Sequence, residues 1–372
     1  MTNAKTIDKS YPFESILYLD TGSITEGKIE SFQKIDVKDA PSRAKRLVKA
    51  NDIVYSTVRP IQRHYGILKN PQPNLVVSTG FTVIEVNQNL AHPDFIYHLL
   101  SADESVEFLD VIAEASTSTY PSLKPSDIEN LNISLPKLEE QKAIASVLNS
   151  LDDKIDLLHR QNTTLEAMAE TLFRQWFVEE AQEDWEQGSL GDISDNVRNS
   201  VQAKNIEADT KYIGLEHIDR HNIALKQYGV GADVNSNKYT FEKNDILFGK
   251  LRPYFHKVCF SPFSGICSTD ILVIRPKSPD YFAFCLFAFF QNDVVEYANL
   301  GSGGTRMPRT DWDTLKKFPI SLPDKNTIIK FNDIVLPSIN RIAANLEQLE
   351  TLEKLRDNLL PKMMSGEVRI TY

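Results

Sequence analysis

The chain has no run of 18 or more apolar residues, so nothing in it is long enough to span a bilayer as one helix. Its opening, Met1 to Ser10, is polar and lacks the apolar core of a signal peptide. Only three cysteines occur in 372 residues, Cys259, Cys267 and Cys285, with no Cys-x-x-Cys pair. They read as reduced thiols of a cytoplasmic protein rather than as a disulfide frame. The histidines lack metal-ligand spacing, and His217 and His221, four apart, fall in an expected strand and turn rather than on one helix face. Gly22 to Lys28 matches Gly-x-x-x-x-Gly-Lys, but Ile29 stands where a Mg²⁺-binding hydroxyl belongs, so the match is fortuitous. There is no Gly-x-Gly-x-x-Gly loop and no Asn/Asp-Pro-Pro-Tyr/Phe segment for adenine methylation. No catalytic residue, metal or cofactor is therefore expected in this chain.

What is present is a folded composition, 41% hydrophobic and 9% aromatic, at a length that suits two domains. The net charge of -10 is unevenly spread. Residues 137–187 hold 5 Lys/Arg against 12 Asp/Glu, whereas residues 188–323 hold 16 against 15 and residues 1–136 hold 13 against 17. The acidic middle suits contact with protein, and the flanks leave room for local basic clusters.

The dominant signal is an internal duplication. Asn51-Asp52-Ile53-Val54-Tyr55 followed by Val58-Arg59-Pro60 returns as Asn244-Asp245-Ile246-Leu247-Phe248 followed by Leu251-Arg252-Pro253. Tyr18-Leu19 with Ile24 and Ile29 matches Tyr212-Ile213 with Ile218 and Ile223. Ser78-Thr79 matches Ser268-Thr269, and Ile133-Ser134-Leu135-Pro136 matches Ile320-Ser321-Leu322-Pro323. The offset drifts only from 194 to 187, as loop insertions and deletions produce. The second copy opens with Trp185 and Leu190-Gly191-Asp192-Ile193, but the first begins abruptly near Tyr11; it either lacks an edge strand or borrows one from the tail Gly366–Tyr372. Strands are expected over Asp52–Val58, Leu75–Val86, Tyr212–Ile218, Asp245–Leu251 and Ile271–Arg275, and helices over Pro93–Leu100, Glu104–Ile112, Tyr281–Gln291 and Val294–Asn299, a mixed α/β class.

Each copy ends in a long helical stretch. Ile144, Leu148, Leu151, Ile155, Leu158, Leu165 and Leu172 recur at spacings of three and four, with Asn162 as a polar member of the seam. The second stretch carries Val335, Ile339, Ile342, Leu346, Leu349, Leu352 and Leu359; Pro337 should start or kink it and Pro361 should lie at or near its end. Two such seams in one chain bury each other best as an antiparallel coiled-coil pair, a rod of about 60 Å relating the copies by a pseudo-two-fold axis. The alternative is two amphipathic helices, each lying on its own domain. The division expected is 1–136, a globular domain; 137–184, a long helix; 185–323, a second globular domain; and 324–372, a long helix and tail.

With these residues in view, the chain resembles the specificity subunits of type I restriction-modification systems over nearly its whole length. The resemblance is carried by the duplication, by Ile133-Ser134-Leu135-Pro136-Lys137-Leu138-Glu139-Glu140-Gln141 with the helix after it, and by Leu359-Leu360-Pro361-Lys362-Met363-Met364-Ser365-Gly366-Glu367. It implies that each globular unit is a target recognition domain reading one half of a split double-stranded DNA site. It further implies that the helices dock two methyltransferase subunits, and that restriction-translocase subunits join them. S-adenosylmethionine would then belong to the methyltransferase, and ATP and Mg²⁺ to the restriction subunit. Glu139-Glu140-Gln141 aligns with Asn326-Thr327-Ile328, which puts equal docking at the two ends in doubt.

Candidate DNA contacts follow from cations interleaved with aromatics and small donors. Lys250, Arg252, Tyr254 and His256 follow one strand, and Arg59 and Arg63 stand at the matching place. Arginine pairs bidentately with guanine and lysine positions phosphate. Because Arg-Pro repeats in both copies, Arg59 and Arg252 are equally compatible with structural salt bridges, and the differing Arg63 and His256 are expected to be better readers. The loop Ser302-Gly303-Gly304-Thr305-Arg306 with Arg309 would let backbone approach phosphate, the alternative being a plain surface turn, and Thr117, Ser118 and Tyr120 lie in its counterpart. Arg43, Lys45 and Arg46, with Lys49, form a basic run that suits phosphate contact or plain solvation rather than base reading. The rivals are a two-headed protein-binding scaffold, which salt-sensitive and sequence-selective DNA binding would exclude, and a self-sufficient nuclease, which has no residues here to run it.

Overall fold

The computed structural model describes residues 2–3, 5–116, 120–302 and 307–369. It divides into two compact units, one running to Lys154 and resuming at Leu352, the other Ile155–Thr351. Among the described residues no helix is long and apolar enough to cross a membrane.

In the first unit an antiparallel sheet runs in the order Thr2–Asn3, Phe81–Ile84, Asp52–Ser56, Tyr65–Leu68. A second sheet, ordered Gln33–Asp36, Ser15–Leu19, Leu75–Ser78, Ala44–Leu47, has its two central strands parallel. Strand Asp52–Ser56 is buried at all five positions, as both faces are covered. One face carries Ile53 and Tyr55 into a core with Phe95 of helix Pro93–Ser101, Leu109 of helix Asp103–Glu114, Ile144 and Leu148. The other carries Val54 to Leu19, Val77 and Phe81.

The second unit repeats this plan. Ser194–Val197, Ile271–Pro276, Ile246–Gly249 and Val258–Phe260 form the antiparallel sheet. Its companion contains Lys211–Ile213 parallel to Gly265–Cys267. Helix Phe282–Phe289 is buried at all eight positions, which is why its sequence is apolar all round. Cys259, Cys267 and Cys285 are buried free thiols; burial pushes each upward, Cys267 to about 12, which leaves little nucleophilic thiolate.

The repeated Asn-Asp-Ile has a local cause. Asn51 and Asn244 take left-handed backbone, φ 66° and 69°, which asparagine tolerates. Each following aspartate is buried and accepts a backbone N–H, from Lys49 at 2.9 Å and from Glu242 at 2.7 Å, fixing where the strand begins.

Several expectations are corrected. The first unit is not short of its edge strand: Thr2–Asn3 occupies the place that Ser194–Val197 fills in the second, and Thr6 bridges Arg46. The run Leu75–Val86 is two strands broken at Thr79-Gly80, and Tyr212–Ile218 is a short strand followed by a 3₁₀ turn, Leu215–His217. Residues 22–28, whose Gly-x-x-x-x-Gly-Lys spacing the sequence already marks as fortuitous, lie in a turn and hairpin, Ile24–Thr25 pairing Lys28–Ile29 through Glu26 and Gly27 at positive φ. Pro337 does not start the second long helix, Lys325–Met364, which begins twelve residues earlier, just after the Asp324 cap; Pro361 does lie near its end.

The first long helix is Leu138–Arg174, closed by a π turn, Gln175–Glu179. Within the first unit Leu148 packs in one cluster with Met363 and Leu359, and Arg356 meets Asp152 at 3.3 Å; Leu151 and Leu352 are half-buried. Within the second unit Asn345 Nδ2 donates to Asn162 Oδ1 at 2.8 Å, and Leu165 and Leu172 pack against the cluster that holds Ile342. Ile155, Leu158 and Leu349 are buried.

Candidate nucleic-acid interface

The duplicated Arg-Pro dipeptides occupy one and the same construction in both units. In the first, Val58 bridges Ser122, the Arg59 N–H donates to Pro121 O at 3.1 Å, and the Leu123 N–H donates to Thr57 O at 2.7 Å. In the second, Leu251 bridges Arg309, Arg252 N–H donates to Pro308 O at 2.8 Å, and Thr310 N–H donates to Lys250 O at 3.0 Å. The turn after each strand is thus stitched to the segment after the paired helices. The sequence separates these segments by about 60 residues, and the topology brings them together.

The turns are 3₁₀, Pro60–Gln62 and Pro253–Phe255, each bracketed by two left-handed residues. Arg59 and Arg63 have φ 47° and 57°, and Arg252 and His256 have 51° and 48°. Left-handed backbone costs an L-residue roughly 1–2 kcal/mol. Four such residues at matching positions mean that the surrounding bonds over-determine the turn, a pattern concentrated at ligand-contacting sites.

The side chains divide into free and committed groups. Arg59 is exposed, with its guanidinium 5.8 Å over the ring of Tyr120, itself 60% exposed. Arg252 is half-buried and its Nε has no hydrogen-bond partner among the described residues. Lys250 is half-buried beside Asp270, and burial lowers its affinity for the proton while Asp270 opposes that. Arg309 is exposed and paired with Asp270 at 2.9 Å. Tyr254 is exposed and packs edge-on against Phe255, over which Arg220 lies at 3.8 Å. Sequence reasoning missed Arg220, which no local motif marks, and Ile61, which only the register of the repeat pairs with Tyr254.

The two differing residues expected to read bases are otherwise engaged. Arg63 is tied to Asp103 at 2.6 Å and to Glu26 at 3.6 Å. His256 is 3% exposed, its ring tilted against that of His221 with centroids 4.3 Å apart, and pushed down to about 4 by burial and then by His221. Both brace the turn against the start of the second helix, Asp103 in one unit and Asn292 in the other. Position and burial make both of them supports of the turn in this structure. His217 accepts the Gly214 N–H at 2.9 Å and holds a 3₁₀ turn.

Arg43 and Lys45 are exposed on or beside strand Ala44–Leu47, while Arg46 is half-buried and Lys49 pairs with Glu85. Arg43 O accepts from Thr79 N–H, next to Gly80, whose carbonyl accepts from Thr57, so the basic run adjoins the first turn. Ser302 Oγ donates to Asn299 O at 2.6 Å. Thr117, Ser118, Gly303, Gly304, Thr305 and Arg306 lie outside the described residues.

The family motif Glu139-Glu140-Gln141 also resolves into structure. Gln141 is fully buried: its Nε2 donates to Pro136 O at 2.9 Å and Leu90 O at 3.3 Å, and its Oε1 accepts from His92 N–H at 2.9 Å. Its counterpart Ile328 is buried in an apolar cluster, so the change from polar to apolar belongs to the interior rather than to a docking face.

Comparison with known proteins matches residues 6–167 and 182–359 to the type I restriction modification DNA specificity domain. The chain is similar to the HindI specificity subunit of Haemophilus influenzae, 26% identical over 98% of this chain and 97% of that one. It is similar to the MjaIX specificity subunit of Methanocaldococcus jannaschii, 26% identical over 87% and 79%. The crystal structure of a type I restriction-modification system S subunit from M. genitalium aligns with TM-score 0.61 and 16% identity, covering 96% of this chain and 91% of that one; this shows a shared fold.

Proposed function

Since the chain belongs to the family of type I restriction modification DNA specificity proteins, we propose that it is a DNA-reading subunit whose two heads each recognise one half of a split target. The observation that carries this reading is the stitched Arg-Pro turn, built twice from segments far apart in sequence. Arg59 and Arg252 supply cations for guanine edges, Lys250, Arg309, Arg43 and Lys45 supply cations for phosphate, and the side chains flanking the two turns differ, Thr57 against Lys250 and Arg63 against His256, as two unlike half-sites require.

On this reading the two long helices pair antiparallel as a coiled coil and hold the heads apart, so the two blocks of sequence are separated by an unread spacer, as half-sites about a helical turn apart would be. The Asn162–Asn345 bond supports the pairing, since a buried polar pair between two apolar stripes fixes register. The acidic outer faces of the first helix suit docking of methyltransferase subunits, which would flip an adenine in each half-site, with restriction subunits joining them. The chemistry is theirs, and this chain selects the site.

The test is to map methylated adenines in cells carrying this chain with its methyltransferase, and to measure binding of the purified complex across salt concentrations. A bipartite motif, with affinity falling steeply as salt rises, is expected. Unselective or salt-indifferent binding would favour the scaffold alternative.

A further inference from the structure

The tip of each Arg-Pro turn presents one large apolar side chain. Ile61 is 50% exposed in the first unit and Tyr254 49% exposed in the second, while the prolines before them are buried. Each stands two residues after the left-handed arginine and two before the second left-handed residue, so they are equivalent by register. Their exposure is costly surface on a backbone that is otherwise over-held. Ile61 N–H donates to Asp110 Oδ1 at 3.1 Å, and Tyr254 is braced by the Phe255 ring at 4.7 Å between centroids. Both tips are thus set before any partner arrives, which keeps the ordering cost of contact low.

We propose that Ile61 and Tyr254 are equivalent specificity-determining residues, each packing against the 5-methyl group of a thymine in its own half-site. This rests on the DNA-reading function proposed above. The chemistry selects the ligand: Ile61 has no polar atom beyond its backbone, and among base-pair edges in the major groove only thymine offers an apolar group. Tyr254 presents a ring to the same kind of group, with Arg252 two residues away and Arg220 behind Phe255 to hold the flanking base or phosphate. Each head would then read one A·T pair by its methyl group beside the positions read by arginine.

The experiment uses the complex of this chain with its methyltransferase on its mapped target. Every thymine of both strands is replaced in turn by deoxyuridine, which removes the methyl and leaves pairing intact. For the unaltered complex one replacement in each half-site is expected to weaken binding about fourfold, the worth of burying one such carbon. Ile61→Ala is expected to abolish that sensitivity in one half-site and leave the other unchanged, and Tyr254→Ala the reverse; both sites are exposed, so folding is preserved. Specific binding with no sensitive thymine in a half-site, or sensitivity that survives both substitutions, overturns the proposal while leaving the DNA-reading function standing. Failure of the unaltered complex to select any sequence overturns that function itself.

Discussion

Replacing Gln141 gives the most direct measure of how a polar residue is retained inside the first unit. Gln141→Ile copies the residue that the second unit uses at the matching place, Ile328, and preserves burial and approximate volume. It removes three hydrogen bonds and leaves His92 N–H, Pro136 O and Leu90 O without their partner. A buried orphaned group costs roughly 1–3 kcal/mol. Leu90 is 65% exposed, so its carbonyl recovers water, and the bond it loses is the longest of the three. The net cost is therefore about 2–4 kcal/mol, most of it from His92 and Pro136. Because His92 precedes helix Pro93–Ser101, the loss concentrates there. Amide hydrogen exchange of the full chain should show that helix opening about 30- to 1,000-fold more readily, with the sheet Lys211–Cys267 region of the second unit unchanged. Exchange in Pro93–Ser101 within a factor of two of the unaltered protein would refute the reasoning, since it would mean that burial alone, and not the three bonds, holds this position.

Glu166 is buried and accepts the Ile223 N–H at 2.9 Å, and burial pushes its carboxyl up to about 7 against that bond. A raised acid contributes its full stability below its unfolded value, near 4.5, and loses it as pH climbs through about 7. Denaturant titrations should therefore find Glu166→Gln level with the parent at pH 4.5 and ahead by about 3 kcal/mol at pH 8; equal gains at both pH values would contradict the burial argument. Asn162→Ala leaves the buried Asn345 amide only its long bond to Gln161 Oε1 at 3.5 Å and should lower the unfolding free energy of the second unit by about 1 kcal/mol, whereas Asn162→Leu with Asn345→Leu should stabilise it while relaxing register, read by thermal denaturation and by disulfide trapping along the helices. Lys250→Ala should weaken DNA binding evenly across sequences and reduce the slope of log affinity against log salt by about 1, while Arg59→Ala should relax discrimination in one half-site; a sequence-specific loss from Lys250→Ala would reverse these roles.

Much of this architecture was legible because duplication writes the same physics twice. Asn51-Asp52 and Asn244-Asp245 mark a left-handed turn and a capped strand start, which two residues encode locally. The long helices followed from apolar spacing, and the singular Asn162 from its place in that spacing. The edge strand Thr2–Asn3 was missed because two residues carry no periodicity; the paired strand Phe81–Ile84 defines them. Pro337 does not start the helix because neighbouring packing around Val335 and Ile339, both buried, outweighs the local cost of a proline inside a helix. The partners of His256 and Arg63 were not legible because a sequence shows charge but not what meets it, and Asp103 and His221 arrive from other elements.

By itself the sequence determined what depends on short-range pattern: two copies of one mixed α/β unit, each followed by a long amphipathic helix, and a family likeness carried by their junctions. Only the tertiary structure decided which side of each turn faces water. Whether an arginine reads or braces depends on carboxylates, rings and strand partners that lie tens of residues away and meet it only after the chain has closed its sheets. Periodicity encodes a surface's direction within one element; the neighbours that cover it are set by topology.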